Sequence, residues 1–387
     1  MKKALLIIET DAHFTELFRV ACAMKSSGKY RPTFYWAYPP QQRDISLCEA
    51  QGFAVPSVPQ GHGSPRISTR LRRLLPAATA NFIRLIRAVH VLARTIRGAR
   101  KYLKVHGFEL LVLAEDNAAY SSAEWIEAGH SLGIPSVIVP FTVANAIEPA
   151  QALLNNPAHR VSGLCGKLVA ALYPNWIYEH GGRRLVRLPP PRALARQWLG
   201  LAPPLPWIIN SGKADAIAVE SEFMLDYYRR EGLPEGQLVL CGALYDDILA
   251  DQLANAVARR QQLHGRLGLD PGRKLVLCAM PPDQLAVAGD RCDFRRYREL
   301  VKFWAETLAQ LRGCNVVVRA HPRTRLEEIE FIRPLGLTIV EDDTASLVPL
   351  CDIYVASVSA TIRWAIACGK PVVNYDVYRY RYVDYDQ

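Results

Sequence analysis

The sequence contains no CxxC pair and none of the cysteine or histidine spacings that close a zinc site, although it holds nine cysteines. Cys241, Cys278, Cys351 and Cys368 lie in apolar runs, where a reduced thiol is simply a small buried side chain, so no metal is expected. There is no apolar run of membrane-spanning length near the start, because Glu9 and Asp11 break the one that ends at Ile8. That opening reads as a first β-strand of a cytoplasmic protein. No low-complexity tract interrupts the 387 residues, of which 50% are hydrophobic, and the length suits two domains with separate cores.

Acidic residues are missing from one stretch. From Arg66 to Lys104 there are 11 Lys and Arg and no Asp or Glu, which accounts for the whole net charge of +10. Within it Phe82, Leu85, Ile86, Val89, Leu92, Ala93 and Ile96 recur at helical spacing, while Arg84, Arg87, Arg94, Arg97, Arg100, Lys101 and Lys104 fall mainly elsewhere around the turn. This predicts a basic amphipathic helix within 66–104, either packed on its own domain with a solvated cationic face or drawn to anionic lipid headgroups or an acidic glycan. Nucleic acid is not expected as a partner, since no recognition motif or aromatic platform accompanies the charge.

Apolar runs alternate with helical periodicity through the rest of the chain. In the first half strands are expected at Ala4–Ile8, Pro32–Trp36, Leu110–Ala114, Ser136–Val139 and Ala216–Val219, with helices near 14–27 and 121–132. Residues 155–206, rich in Pro and Arg, read as an insertion or lid outside the core. A second block places strands at Leu275–Ala279, Asn315–Arg319, Leu337–Val340, Ile353–Ala356 and Val372–Tyr375, with helices near 293–311, 325–332, 345–350 and 361–368. The expected class is α/β, with an N-terminal Rossmann-like domain over 1–245 and a second over 246–387, facing each other across a deep cleft.

Chemistry-bearing residues cluster where such strands end. In a parallel sheet the C-terminal strand ends line the ligand crevice. His321, Pro322 and Arg323 follow one strand, and Ser357, Ser359 and Thr361 follow another, expected to be its neighbour. A helix starting near Ala360 would add backbone N–H groups, and together these groups could hold a phosphate. Asp283 and Gln284 follow a third strand. In the first half Glu115 and Asp116 follow Leu110–Ala114, and Glu9, Asp11 and His13 follow the first strand. Glu341-Asp342-Asp343 reads as a helix start, not a metal site.

The phrase Ala214-Asp-Ala-Ile-Ala-Val-Glu-Ser-Glu222, with Tyr227 to Gly232 and Val239-Leu-Cys-Gly-Ala243, resembles the close of the first domain in GT-B glycosyltransferases. His321-Pro322, followed by Ser357-x-Ser359-x-Thr361 and Gly369-Lys-Pro-Val372, is similar to bacterial enzymes of capsule or lipopolysaccharide biosynthesis that use CMP-sialic acid or CMP-Kdo. Such a resemblance implies a metal-independent transferase with no cofactor beyond its CMP-sugar donor. The donor would lie on the second domain, and a glycan or glycolipid acceptor on the first, at the inner membrane face. It implies Asp116, placed slightly ahead of Glu115, as the base that takes the acceptor proton. His321, Pro322, Arg323, Ser357, Ser359 and Thr361 would bind the departing phosphate. Asp283 and Gln284 would line the donor side, with Asp283 orienting the sugar or acting as a nucleophile. Glu9, Asp11 and His13 would face the acceptor.

Two departures from that pattern count. Asn117 stands where sialyltransferases of this type commonly have Gly, and Ile362-Arg363-Trp364 stands where uridine-nucleotide enzymes of the fold place a ribose-binding Glu, which favours cytidine. The rivals are a sugar-nucleotide 2-epimerase of the same fold, a CDP-glycerol-type phosphotransferase suggested by Asn374-Tyr-Asp-Val-Tyr378, and a non-catalytic glycan- or membrane-binding protein. The resembled fold commonly ends in a helix crossing back to its first domain. The chain stops about a dozen residues after its last expected strand, so it is expected to be truncated or one module of a longer enzyme.

Overall fold

A computed structural model describes residues 1–54, 77–140, 145–321, 324–357 and 359–379, in two compact units, Met1–Leu244 and Tyr245–Gln387. The first unit runs β1 (Lys2–Ile8), α1 (Asp11–Ser26), β2 (Tyr30–Trp36), α2 (Gln42–Ala50), α3 (Ala77–His106), β3 (Leu110–Leu113), α4 (Ser122–His130) and β4 (Ser136–Ile138). It continues through α5 (Ile147–Leu153), α6 (Gly163–Leu172), β5 (Ile177–His180), β6 (Arg183–Val186), α7 (Pro190–Trp198), β7 (Ala216–Val219), α8 (Glu222–Arg230) and β8 (Leu238–Leu240). Its six-stranded sheet has the order β2-β1-β3-β4-β7-β8, and every pairing in it is parallel.

That order explains the run Ala-Leu-Leu-Ile-Ile in β1. A parallel sheet is covered on both faces, so an inner strand needs apolar side chains at every position, and Leu5 to Ile8 are all at most 1% exposed. Burial contributes about 1.5–3 kcal/mol for each such side chain. The order also reverses direction between β1 and β3, which makes the gap after Ile8 and Leu113 the switch point where a ligand site forms.

Residues 155–206, expected to stand outside the core, are packed. Trp176, Val186, Leu188, Ala193 and Leu194 form a cluster with Leu85 and Leu92 of α3. The prolines there serve the fold, because Pro190 and Pro191 occupy the first turn of α7, where a missing N–H costs nothing. The basic helix begins at Ala77 among the described residues, and 66–76 lie outside them. Its contact face is Leu85, Leu92, Ala99 and Leu103, whereas Phe82 and Ile86, expected on that face, are 61% and 54% exposed.

The second unit contains α9 (Asp246–Ala254), α10 (Ala256–Leu267), β9 (Lys274–Ala279), α11 (Leu285–Ala288), α12 (Tyr297–Ala309), β10 (Cys314–Arg319), β11 (Thr338–Val340), α13 (Thr344–Leu347), β12 (Ile353–Ala356), α14 (Ile362–Ala367) and β13 (Val372–Asn374). Its parallel sheet has the order β11-β10-β9-β12-β13, with the switch point between β9 and β12. The α-helix expected over 325–332 is instead a pair of 3₁₀ segments, Leu326–Glu328 and Glu330–Leu335. Pro334 inside the second denies it an N–H and crowds the preceding turn.

An ion pair fastens α10 to this sheet. Arg260 donates to both Asp352 oxygens at 3.1 and 2.6 Å, and the Leu275 N–H donates to Asp352 at 2.7 Å. The Arg260 bonds hold the Asp352 carboxyl down at about 2, from 3.8, against the opposing effect of burial. A carboxyl depressed on folding adds stability that is complete above the unfolded value and is lost as pH falls towards the folded one. The second unit should therefore lose about 2 kcal/mol from this group between about pH 4 and about pH 2. Urea midpoints across that range should give Asp352→Asn a flatter acid limb than wild type; equal slopes would remove the pair from the stability account.

Candidate functional site

The switch point of the first unit gathers residues that are far apart in sequence. The backbone N–H of Glu9 donates to His13 Nδ1 at 3.4 Å, which places the ring proton on Nε2, and Nε2 donates to Glu115 Oε1 at 2.8 Å. His13 is 1% exposed and Glu115 is 3% exposed. The other oxygen, Glu115 Oε2, is buried without a hydrogen-bond partner among the described residues. A carboxylate oxygen so placed is costly unless something fills it, and a substrate hydroxyl is the right kind of group. Tyr120 stands edge-on to the His13 ring with centroids 5.9 Å apart and fixes its plane.

Glu9 and Asp116, expected in substrate roles, are committed to structure. Glu9 accepts the Ser121 N–H at 2.6 Å, the Ser121 hydroxyl at 2.5 Å and the Ser122 hydroxyl, so it caps the start of α4. Burial pushes its carboxyl up, and those serine bonds pull it back. Asp116 is 0% exposed and holds the loop before β7. Its Oδ1 accepts the Ser211 N–H and, at 3.0 Å, the Ser211 hydroxyl. Its Oδ2 accepts the N–H groups of Lys213 and Ala214 at 2.7 and 3.2 Å. Gly212, at φ +82°, lets those donors converge, and a Cβ there would overlap Leu233 Cδ2. Asp11 is exposed and accepts from Gln41 Nε2 at 2.9 Å, away from this pair.

The sequence reading missed Arg187. It is 8% exposed, donates through Nη2 to Asn117 Oδ1 at 2.8 Å, and has its Nε buried without a partner among the described residues. Burial pushes its guanidinium down, and the charge of Glu115 pulls it back up. The available signal was an arginine inside the apolar run Leu185-Val-Arg-Leu188.

In the second unit the two phosphate loops are further apart than expected. β9 lies between β10 and β12, so the ends carrying His321 and Ser357 are two strand spacings apart, about 10 Å. His321 is half-buried in the turn after β10, its carbonyl accepting the Thr324 N–H at 2.8 Å, and Pro322 and Arg323 lie outside the described residues. Ser357 is 4% exposed with its hydroxyl unpartnered among the described residues. Ser359 and Thr361 are tied to each other at 2.8 Å, and Thr361 to the Tyr354 hydroxyl at 2.5 Å, so their hydroxyls order the loop. α14 begins only at Ile362 and spans six residues, too short for the anion-holding N-terminus expected near Ala360.

Asp283 is exposed and accepts the Leu285 N–H at 3.2 Å, the posture of a turn former. Gln284 is held by its backbone, whose N–H donates to the Tyr378 hydroxyl at 3.4 Å, while that hydroxyl donates to the Pro282 carbonyl. The tyrosine-rich tail thus supports the Pro281–Gln284 loop beside the switch point. Trp364 packs on Tyr245 with centroids 4.1 Å apart, which accounts for an aromatic at that position. Asp342 pairs with Arg266 at 2.6 Å, and Asp343 precedes α13. Among the described residues no group of three or more His, Cys, Asp or Glu is placed to hold a metal, and no helix is long and apolar enough to cross a membrane.

No protein-family model and no curated protein sequence matches the chain. Among solved structures it is similar to UDP-GlcNAc 2-epimerase from Neisseria meningitidis bound to UDP-GlcNAc. That match has 10% identity over 96% of this chain and 82% of that one, at a TM-score of 0.51. It is also similar to a glycosyltransferase from Rickettsia africae, at 10% identity over 97% of this chain and 79% of that one, with a TM-score of 0.50. Likeness at such identity concerns the fold: the chain is α/β, with the two Rossmann-like domains of the GT-B fold.

Proposed function

We propose that the chain is a glycosyltransferase in which Glu115 takes the proton of an acceptor hydroxyl and a nucleotide sugar is held at the strand ends of the second unit. The observation that carries this reading is the buried His13–Glu115 pair with one carboxylate oxygen engaged and the other, also buried, without a hydrogen-bond partner among the described residues. In the step, the acceptor O–H bond breaks and its proton passes to Glu115 Oε2. The acceptor oxygen bonds to the anomeric carbon, and the bond from that carbon to the nucleotide phosphate breaks, leaving the phosphate as the anion. His13 keeps Oε1 occupied and so turns Oε2 towards the hydroxyl; it is a positioning residue. Arg187 supplies fixed positive charge beside the carboxylate.

The donor class we propose is a CMP-linked acidic sugar of the Kdo or sialic-acid type. Its support is Ile362-Arg363-Trp364 standing where a ribose-binding carboxylate would favour uridine, with Trp364 taken up by Tyr245. The same substitution argues against the epimerase reading, which needs acidic residues in that place. Ser357 is the candidate phosphate donor on the β12 loop. Thermal shift with CMP, CMP-sugars and UDP-sugars tests the assignment: stabilisation by cytidine compounds is expected, and stabilisation by uridine compounds alone would overturn it. Ser357→Ala should weaken that binding about tenfold, since a hydrogen bond to a charged group is lost, yet leave unliganded stability within about 1 kcal/mol because the hydroxyl has no partner among the described residues. Unchanged ligand affinity in Ser357→Ala would remove it from the phosphate site.

A further inference from the structure

Arg187 is held more firmly than a mere source of charge requires. Its N–H donates to the Trp176 carbonyl at 3.1 Å, and the carbonyl just before it, of Val186, accepts from His159 Nδ1 at 3.0 Å. Leu185, Val186 and Leu188 around it are at most 3% exposed, so an apolar run anchors the backbone on both sides. The guanidinium is then fixed by Asn117, whose Oδ1 accepts from Nη2 at 2.8 Å and from the Ala119 N–H at 3.0 Å. Asn117 stands two residues after Glu115, so the cation and the base share one loop. Asp116 between them faces Ser211 to Ala214 instead.

Two things about this guanidinium are incomplete. Its Nε is buried and has no partner among the described residues, and a buried donor is costly until an acceptor meets it. The second concerns charge. Burial pushes the guanidinium down and the carboxylate of Glu115 pulls it back up, so the cation depends on that carboxylate. When Glu115 takes a proton its charge is gone, and a buried cation without a counter-ion is strongly disfavoured. His159, which also faces Arg187, brings no negative charge to replace it. The replacement has to arrive with the substrate. A carboxylate carries the single charge needed and matches the planar fork of an arginine, whereas a phosphate monoester carries about −1.5 to −2 and would leave an excess.

We infer that Arg187, held by Asn117, selects an acceptor bearing a carboxylate close to its reacting hydroxyl, with the hydroxyl at Glu115 Oε2 and the carboxylate at Arg187 Nε. This rests on Glu115 as the base and adds the chemical class of the acceptor to it. The acceptor's carboxylate stays beside Arg187 while Glu115 is protonated, so the buried cation keeps a counter-ion through the transfer. Asn117 stands where sialyltransferases of the resembled type commonly have Gly, and a glycine has no side chain to hold the guanidinium. The Asn117–Arg187 pair is therefore a specificity device of this chain's own residues, one of them supplied by the segment 155–206.

Binding of methyl glucuronide and methyl galacturonide to the full chain, each compared with its uncharged methyl ester by calorimetry, tests the inference. Each acid is expected to bind at least tenfold more tightly than its ester, because a charge-assisted hydrogen bond goes with the charge. Arg187→Gln should bring acid and ester level. Arg187→Lys should keep part of the preference, and Asn117→Gly should reduce it about threefold by releasing the guanidinium. Thermal midpoints show whether each variant is folded, and the comparison of acid with ester on the wild type needs no variant. An ester bound as tightly as its acid, no binding of either acid, or a preference that survives in folded Arg187→Gln would overturn the inference. Glu115→Gln separates it from the base. Lost turnover in that variant, with acid and ester bound alike by the wild type, keeps the base and removes the carboxylate site; full turnover, with the acid still preferred, removes the base and keeps the site.

Discussion

Glu115→Gln is expected to lower turnover by about 10²–10⁴-fold while leaving the protein folded, because a positioned general base contributes about that much. Gln preserves the shape of the side chain, and its carbonyl oxygen can still accept the His13 Nε2–H that Glu115 Oε1 accepts at 2.8 Å. What it loses is the capacity to take a proton at the second oxygen. The loss corresponds to about 3–5 kcal/mol of barrier. His13→Ala should have a smaller effect, since the carboxylate stays but is free to rotate. The pair separates positioning from proton transfer when kcat and thermal midpoint are measured together. Full activity in Glu115→Gln would take the base away from this residue.

Asp116 is expected to show the opposite pattern. Asp116→Ala takes the acceptor from the Ser211, Lys213 and Ala214 N–H groups, in a place where the native carboxylate is 0% exposed, while the Ser211 hydroxyl keeps the backbone carbonyl of residue 116 at 2.8 Å. Each buried donor left unpaired costs about 1–3 kcal/mol, and partial relaxation brings the total to about 3–5 kcal/mol. For a unit of this size that lowers the thermal midpoint by about 10 °C. Asp116→Asn should be nearly as damaging, because one end of the amide presents N–H groups to N–H donors. Lys213 raises the stakes by tying the same loop to Glu127 at 2.9 Å and to the Gly200 carbonyl at 2.7 Å. An Asp116→Asn protein of normal stability and no turnover would return the base to Asp116 and contradict the division drawn between the two neighbours.

That division shows where sequence reading stops. Strands such as Ile353–Ala356 and Ala216–Val219 were legible to the residue because a parallel strand buried on both faces leaves an unbroken apolar run. The acidic pair after Leu113 was legible as chemistry, yet adjacent residues in an extended chain point to opposite sides. Which of Glu115 and Asp116 meets His13 is decided by the sheet, which brings residues 102 positions apart to 2.8 Å. Strand order is likewise silent in a βα pattern. His321 and Ser357 were expected on adjacent strands, and neither segment carries a signal that β9 lies between them. Residues 155–206 lacked a periodic signal because their core is assembled from short pieces against α3, among them Trp176 and Leu194. Arg187 was hidden for the same reason.

The account rests on transfer of a sugar to an acceptor hydroxyl deprotonated by Glu115, and the mass of the product tests that most directly. Wild-type protein incubated with a CMP-linked acidic sugar and a glycan acceptor is expected to release the nucleotide and add one sugar mass to the acceptor, with the Glu115→Gln protein binding the donor but forming little product. A sugar nucleotide converted to an isomer of unchanged mass without any acceptor, or equal product from both proteins, would contradict it.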